Sequence, residues 1–251
     1  MRLFSRGLMI VLLVTALAAS CGKKGPKTQA PDSAEAYLKR AKGHFTDTDA
    51  AIKDAGKAIA LDEHYLAAYE FRAEMYEVRY RKTKRPNDVA RALADYDKLV
   101  ALESDGPKTG EWLGKRGWLK LRAGNYDGAI ADLKASLDKD RHNPRTYRRL
   151  ARAYLAKNDH ANAAKACSYA IKYDPNDASL YVTRSEIYYA MEKYEEAIAD
   201  LGKVIELQPD YLAYARRAEL YREIGQPQKA IDDYEKARSL NPEYETGGTV
   251  W

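Results

Sequence analysis

The chain repeats itself at a spacing close to 34 residues, and this period constrains the fold more than any other feature of the sequence. Asp54, Asp95, Asp132, Asp200 and Asp233 fall at one position of the repeat, and Ala51, Ala92, Ala129, Ala163, Ala197 and Ala230 fall three residues before it. A period of this length marks stacked helix pairs, because one pair cannot bury its apolar face alone. Counting back from the most regular stretch divides residues 34–244 into six units, at about 32–65, 66–106, 110–143, 144–177, 178–210 and 211–244. The expected fold class is all-α, and a scaffold of this kind binds partners rather than converting substrates.

The last unit shows how each pair is built. Tyr214, Ala218 and Tyr221 mark one face of a first helix, Gly225 breaks it, and Ala230, Ile231, Tyr234, Ala237 and Leu240 mark a second. Spacings of three, four and seven make an apolar helical stripe. Pro175, Pro209 and Pro242 end second helices by pushing their predecessors out of the helical region. Asp54, Asp95, Asp200 and Asp233 each precede a lysine by three residues (Lys57, Lys98, Lys203, Lys236), so the recurring acid is expected to form a surface i, i+3 pair.

The first residues differ in kind. Arg2 and Arg6 precede an apolar run from Leu8 to Ala19, too short at about 18 Å of helix to span a hydrocarbon core of roughly 30 Å. Residues 1–20 therefore read as a signal peptide. The sequence LAASC, ending at Cys21, resembles the lipobox of bacterial lipoproteins. That resemblance implies cleavage before Cys21 and an N-acyl, diacylglyceryl lipid on it, with no other cofactor; an ordinary secretory signal is the alternative. Residues 22–33, GKKGPKTQAPDS, complete a tether that as a flexible coil extends roughly 17 to 21 Å on average. Without the two leader arginines the formal charge of +5 becomes +3, which speaks against a nucleic-acid partner. Cys167 is the only other cysteine and sits where other units carry Ala55, Tyr96, Leu133, Leu201 and Tyr234, so it is expected in the core.

Departures from the repeat nominate the function. Unit two carries about seven extra residues, expected in its turn, and Arg79, Arg81, Lys82, Lys84 and Arg85 make it a candidate second contact for an anionic surface or an acidic partner; a solvated loop is the alternative. The turn of unit one is about two residues short. In unit four Asn143 and Pro144 read as a cap and first helical residue, and Arg145, Arg148, Arg149 and Arg152 follow on one face. Like charges at these spacings repel, and cations near a helix N-terminus oppose its dipole, so local stability argues against them. After Pro242, residues 245–251 form a short tail, and Tyr244, Val250 and Trp251 are candidates to cover the last pair. His44, His64, His142 and His160 are dispersed, no metal-ligand or nucleophile motif occurs, and neither a catalytic nor a metal site is expected.

These alanine, tyrosine and proline positions resemble the tetratricopeptide repeat over more than four fifths of the chain. The resemblance implies a right-handed superhelical solenoid of six such helix pairs, with the arginine face lining the concave groove. Trp118, Glu111, Glu186, Tyr189 and Glu219 then become groove neighbours of Arg145, Arg148, Arg149 and Arg152. The groove is expected to hold an acidic segment or a C-terminal carboxylate, unless Glu186 and nearby acids neutralise the arginines internally. A lipobox, a tether and six repeats resemble the type IV pilus pilotins of the PilF, PilW and Tgl kind. What that likeness implies is an outer-membrane, lipid-anchored protein with its repeats in the periplasm and an outer-membrane secretin as partner, rather than a small-molecule substrate. Other repeat lipoproteins suggest two alternatives: an adaptor for peptidoglycan hydrolases and proteases, or a subunit of an outer-membrane protein insertion complex.

Overall fold

The computed structural model describes residues 32–44 and 46–244. Cys21, the rest of the leader and tether through residue 31, and Val250 and Trp251 of the tail lie outside the described residues. Twelve α-helices and no strand are present among the described residues, and they pair as successive units of a superhelical solenoid. Unit one holds α1 (Ala34–Gly43) and α2 (Thr48–Leu61), and unit two holds α3 (Leu66–Thr83) and α4 (Pro86–Leu102). Unit three holds α5 (Thr109–Arg122) and α6 (Tyr126–Lys139), and unit four α7 (Pro144–Ala156) and α8 (His160–Tyr173). Unit five holds α9 (Ala178–Ala190) and α10 (Tyr194–Leu207), and unit six α11 (Tyr211–Glu223) and α12 (Pro227–Leu240). Each helix packs on its neighbours in the chain, and α5 also touches α7.

Local chemistry starts and stops these helices. Asn143 caps α7 by accepting the amide of Thr146 at 3.1 Å, with Pro144 in the first turn. Asn125 and Asp159 cap α6 and α8 in the same way. The recurring alanines are almost wholly buried at the crossings, where a larger side chain would hold the helices apart. Gly117 is tighter still: a Cβ there would lie 2.9 Å from the Leu133 side chain and 3.1 Å from the Ala129 carbonyl. Gly124 and Gly225 turn the chain between helices with φ of 80° and 70°.

The recurring aspartates do not pair with the lysines three residues on. Each is buried and is held by an arginine from the first helix of its own unit: Arg40 with Asp54, Arg72 with Asp95, Arg116 with Asp132, Arg184 with Asp200 and Arg217 with Asp233. In each case Nε and Nη2 both donate to the carboxylate, at 2.5 to 2.9 Å, a two-pronged geometry that only a planar guanidinium supplies. The partners are 16 residues apart in units three, five and six, 14 apart in unit one and 23 apart in unit two. Those departures equal the short turn of the first unit and the seven extra residues of the second.

Unit four lacks the pair and replaces both members together. Leu150 stands at the arginine position and Ala166 at the aspartate position, 6% and 4% exposed. Two apolar side chains there leave no buried charge uncompensated. Cys167, beside Ala166, is fully buried as expected, and burial pushes its thiol up to about 11.

The extra residues of unit two also differ from expectation. They do not enlarge a turn; they lengthen α3 to 18 residues and α4 to 17, against 14 each for α5 and α6. Four and three residues are about one turn per helix, so both keep their inward faces, and Arg and Lys are good helix formers. The result is a projecting helical hairpin closed by Lys84 in the left-handed region at φ 57°. Arg79 belongs to its base. It is 7% exposed, is paired with Asp88 at 2.5 Å and reaches Asp49 of α2, so the expectation that it forms part of an accessible contact is incorrect.

Unit five offers a direct test of the buried pairs. Asp200→Ala should destabilise the chain by about 3 kcal/mol by stranding Arg184. Adding Arg184→Leu, which copies the adjoining Leu150 and Ala166, should restore most of the loss in urea unfolding. In a Cys21→Ser background, Cys167 should stay unmodified by iodoacetamide at pH 8 until the chain is unfolded.

Candidate protein-binding groove

The first helices of neighbouring units line two open clefts. One, of about 630 Å³, lies between α5 and α7 and is lined by Lys115, Arg145, Arg149, Gly114, Lys139 and His142 among others. The other, of about 370 Å³, lies between α9 and α11 and includes Glu186, Tyr189, Arg216, Glu219, Arg222 and Glu223. Of the expected groove residues, Glu111, Arg145 and Arg149 line the first cleft and Glu186, Tyr189 and Glu219 the second, while Trp118, Arg148 and Arg152 line neither.

Trp118 on α5 gathers three guanidinium groups. The Arg149 carbon lies 5.6 Å from its ring centroid, that of Arg152 5.8 Å and that of Arg122 5.9 Å. Cation–aromatic attraction holds each of them there without neutralising it. No described carboxylate lies within ion-pair distance of Arg122, Arg145, Arg149 or Arg152. Arg149 donates only to the Gly114 carbonyl, at 2.9 Å. Burial, and then the neighbouring charge on Arg145, hold its guanidinium below the ordinary arginine value. Arg116, Arg184 and Arg217 move the other way, raised by the hydrogen bonds they donate to their aspartates. One kind of side chain thus occupies two electrostatic states in the same array.

The remaining candidates are placed otherwise. Arg148 is engaged by Asp177 at 2.8 Å, in the loop before α9, and is not free to meet a ligand beside Arg149. Glu186 pairs with Arg216 of the following unit at 2.7 Å, so it does not neutralise the unit-four arginines. Tyr189 is 56% exposed in the second cleft and its ring contacts Tyr194. Glu111 and Glu74 both hold Lys115 at 2.8 Å. Arg122, which the repeat pattern did not nominate, stands four residues after Trp118, a spacing that puts it on the same helix face. On the hairpin, Arg81, Lys82, Lys84 and Arg85 are exposed and have no described carboxylate partner. Tyr244 packs its ring against Tyr211 at 5.5 Å, at the open end of the array.

Comparison with known proteins agrees with this architecture. Profiles described as tetratricopeptide repeat match residues 115–178, 154–220 and 211–244, which together span 115–244. The chain is a tetratricopeptide-repeat protein. Repeats of this family are generally protein-interaction scaffolds rather than enzymes, and they bind protein partners. A similar relative is Superkiller complex protein 3 of Mus musculus, 30% identical over 125 residues, which are half of this chain and 8% of that protein. Among solved structures, PilF of Pseudomonas aeruginosa is similar over 84% of this chain and 93% of its own, with 16% identity and a TM-score of 0.60. YrrB, a tetratricopeptide-repeat protein with an unusual peptide-binding site, matches over 76% and 93%, with 19% identity and a TM-score of 0.62. At these identities the likenesses to solved structures show the fold alone. Among the described residues, no helix of this tetratricopeptide-repeat protein is long and apolar enough to cross a membrane, and no His, Cys, Asp and Glu group could hold a metal.

If the unpaired arginines serve binding, removing charge there should stabilise the free protein. Arg145→Gln with Arg152→Gln should raise the unfolding free energy by roughly 0.5 kcal/mol at low salt, and added salt should erase the gain. Urea unfolding at two ionic strengths reads both effects.

Proposed function

We propose that this protein is a lipid-anchored scaffold that captures an acidic segment of an outer-membrane secretin and promotes its localisation or assembly for pilus biogenesis and motility. In this reading Cys21 carries the anchor, the tether lets the repeat domain stand off the membrane in the periplasm, and the guanidinium cluster around Trp118, beside the cleft between α5 and α7, takes the partner. The observation that carries it is the set of guanidinium groups around Trp118 without an internal carboxylate. An Arg fork left open in this way is shaped for a carboxylate supplied from outside. The lipobox-like LAASC and the similarity in layout to PilF support the secretin as the source of that carboxylate.

Heat-stable secretin multimers, followed on gels of membrane fractions, test this reading. Deleting the gene should remove them, Cys21→Ser should leave them misplaced, and Arg149→Glu with Arg152→Glu should remove them while the helical circular dichroism stays intact. Multimers that survive both the lipid-site and the groove substitutions would contradict the proposal. Cell-wall defects with normal multimers would instead favour the hydrolase adaptor, and loss of viability with broad loss of barrel proteins would favour the insertion complex.

A further inference from the structure

The guanidinium cluster at Trp118 and the basic tip of the unit-two hairpin stand apart in the sequence, yet a chain of contacts joins them. Lys84 lies 5.9 Å from the Tyr80 ring, and Arg122 lies 4.6 Å from the same ring and 5.9 Å from Trp118. Arg149 and Arg152 follow on Trp118. Cations and aromatic rings therefore alternate from the tip into the groove, with Arg122 as the joint. We infer that these residues form one continuous track for an extended acidic polypeptide segment of the partner, running from the Trp118 cluster to the hairpin tip. This inference rests on the groove reading above and adds the partner's charge pattern and extent.

The geometry explains otherwise separate features. A seven-residue extension that stays helical brings the tip out rigidly, and the buried Arg79 with Asp88 and Asp49 clamps its base. The rings lend each cation an attractive seat without cancelling its charge, so the track stays cationic when empty. Contacts of this size reach at most about 20 Å from end to end, the length of no more than roughly six residues of extended chain at about 3.3 Å each. The Trp118 ring is surrounded by guanidinium groups, which occupy the faces a nucleobase would need for stacking. An acidic peptide needs no free ring face.

Fluorescence anisotropy of the full chain with two labelled peptides tests the track, near 0.15 M salt where exposed charges beyond about 8 Å are screened. One peptide is octaglutamate; the other, a half-acidic peptide of the same length, has four glycines followed by four glutamates. Lys84→Glu with Arg85→Glu, both exposed, should weaken octaglutamate tenfold or more and leave the half-acidic peptide within twofold. Arg122→Glu should leave octaglutamate no tighter than the half-acidic peptide. If the tip substitutions leave octaglutamate unchanged while Arg149→Glu with Arg152→Glu abolishes binding of both peptides, the track is wrong and the groove reading stands. If neither peptide binds the unsubstituted chain, the acidic-ligand chemistry of both readings fails. If an eight-residue oligothymidylate binds tenfold more tightly than octaglutamate, the partner is a nucleic acid and the inference is overturned.

Discussion

The solenoid depends on the pairing of a partly buried arginine with a buried aspartate inside each of five units. The carboxylate is not tolerated among packed helices without the guanidinium, and together they fix how the first helix of a unit sits on its second. The pair is local to a unit, so the array is held by the same device applied repeatedly, with alanine crossings carrying the contacts between units. Variation in the turns is absorbed by changing the distance along the chain between the partners while leaving their two-pronged geometry intact. Unit four, where Leu150 and Ala166 substitute for both partners, meets the same requirement by removing both charges.

The absence of a stapled arginine in unit four gives the remaining arginines there their meaning. Arg145, Arg149 and Arg152 belong to the face turned toward the neighbouring first helices, and no aspartate of the second helix answers them. Trp118 and the Gly114 carbonyl hold Arg149 in place but leave its charge uncompensated. Stability alone would have placed a carboxylate beside it, as happens at the equivalent Lys115 one unit earlier, which Glu111 and Glu74 hold. Packing requirements are thus met around Trp118, while no described carboxylate pairs with Arg122, Arg149 or Arg152 there.

Much of this was legible in the sequence because helix periodicity is a local signal. The 34-residue period, the alanine positions, the buried Cys167 and the Asn143–Pro144 start of α7 all follow from residues within one or two turns of each other. The true partners of the recurring aspartates were not legible in the same way. Lysines three residues on are visible as local pairs, whereas arginines 14 to 23 residues upstream become partners only once two helices are packed. The same limit hid the burial of Arg79, whose basic neighbours made the segment read as an open turn. It also hid the engagement of Arg148 and Glu186, whose partners Asp177 and Arg216 lie 29 and 30 residues away. Arg122 was findable from its spacing to Trp118, but its contact with Tyr80 of another helix was not.

Two populations of arginine coexist, one closed on internal aspartates and one without a described carboxylate partner, which the proposed function assigns to an external carboxylate. Guanidinium NMR resonances of the full chain, followed during titration with octaglutamate, separate the two populations directly. The account predicts that the Nε–H signals of Arg122, Arg149 and Arg152 shift and saturate together while those of Arg116, Arg184 and Arg217 stay fixed. Equal movement of both sets, or movement of the stapled arginines alone, would contradict it.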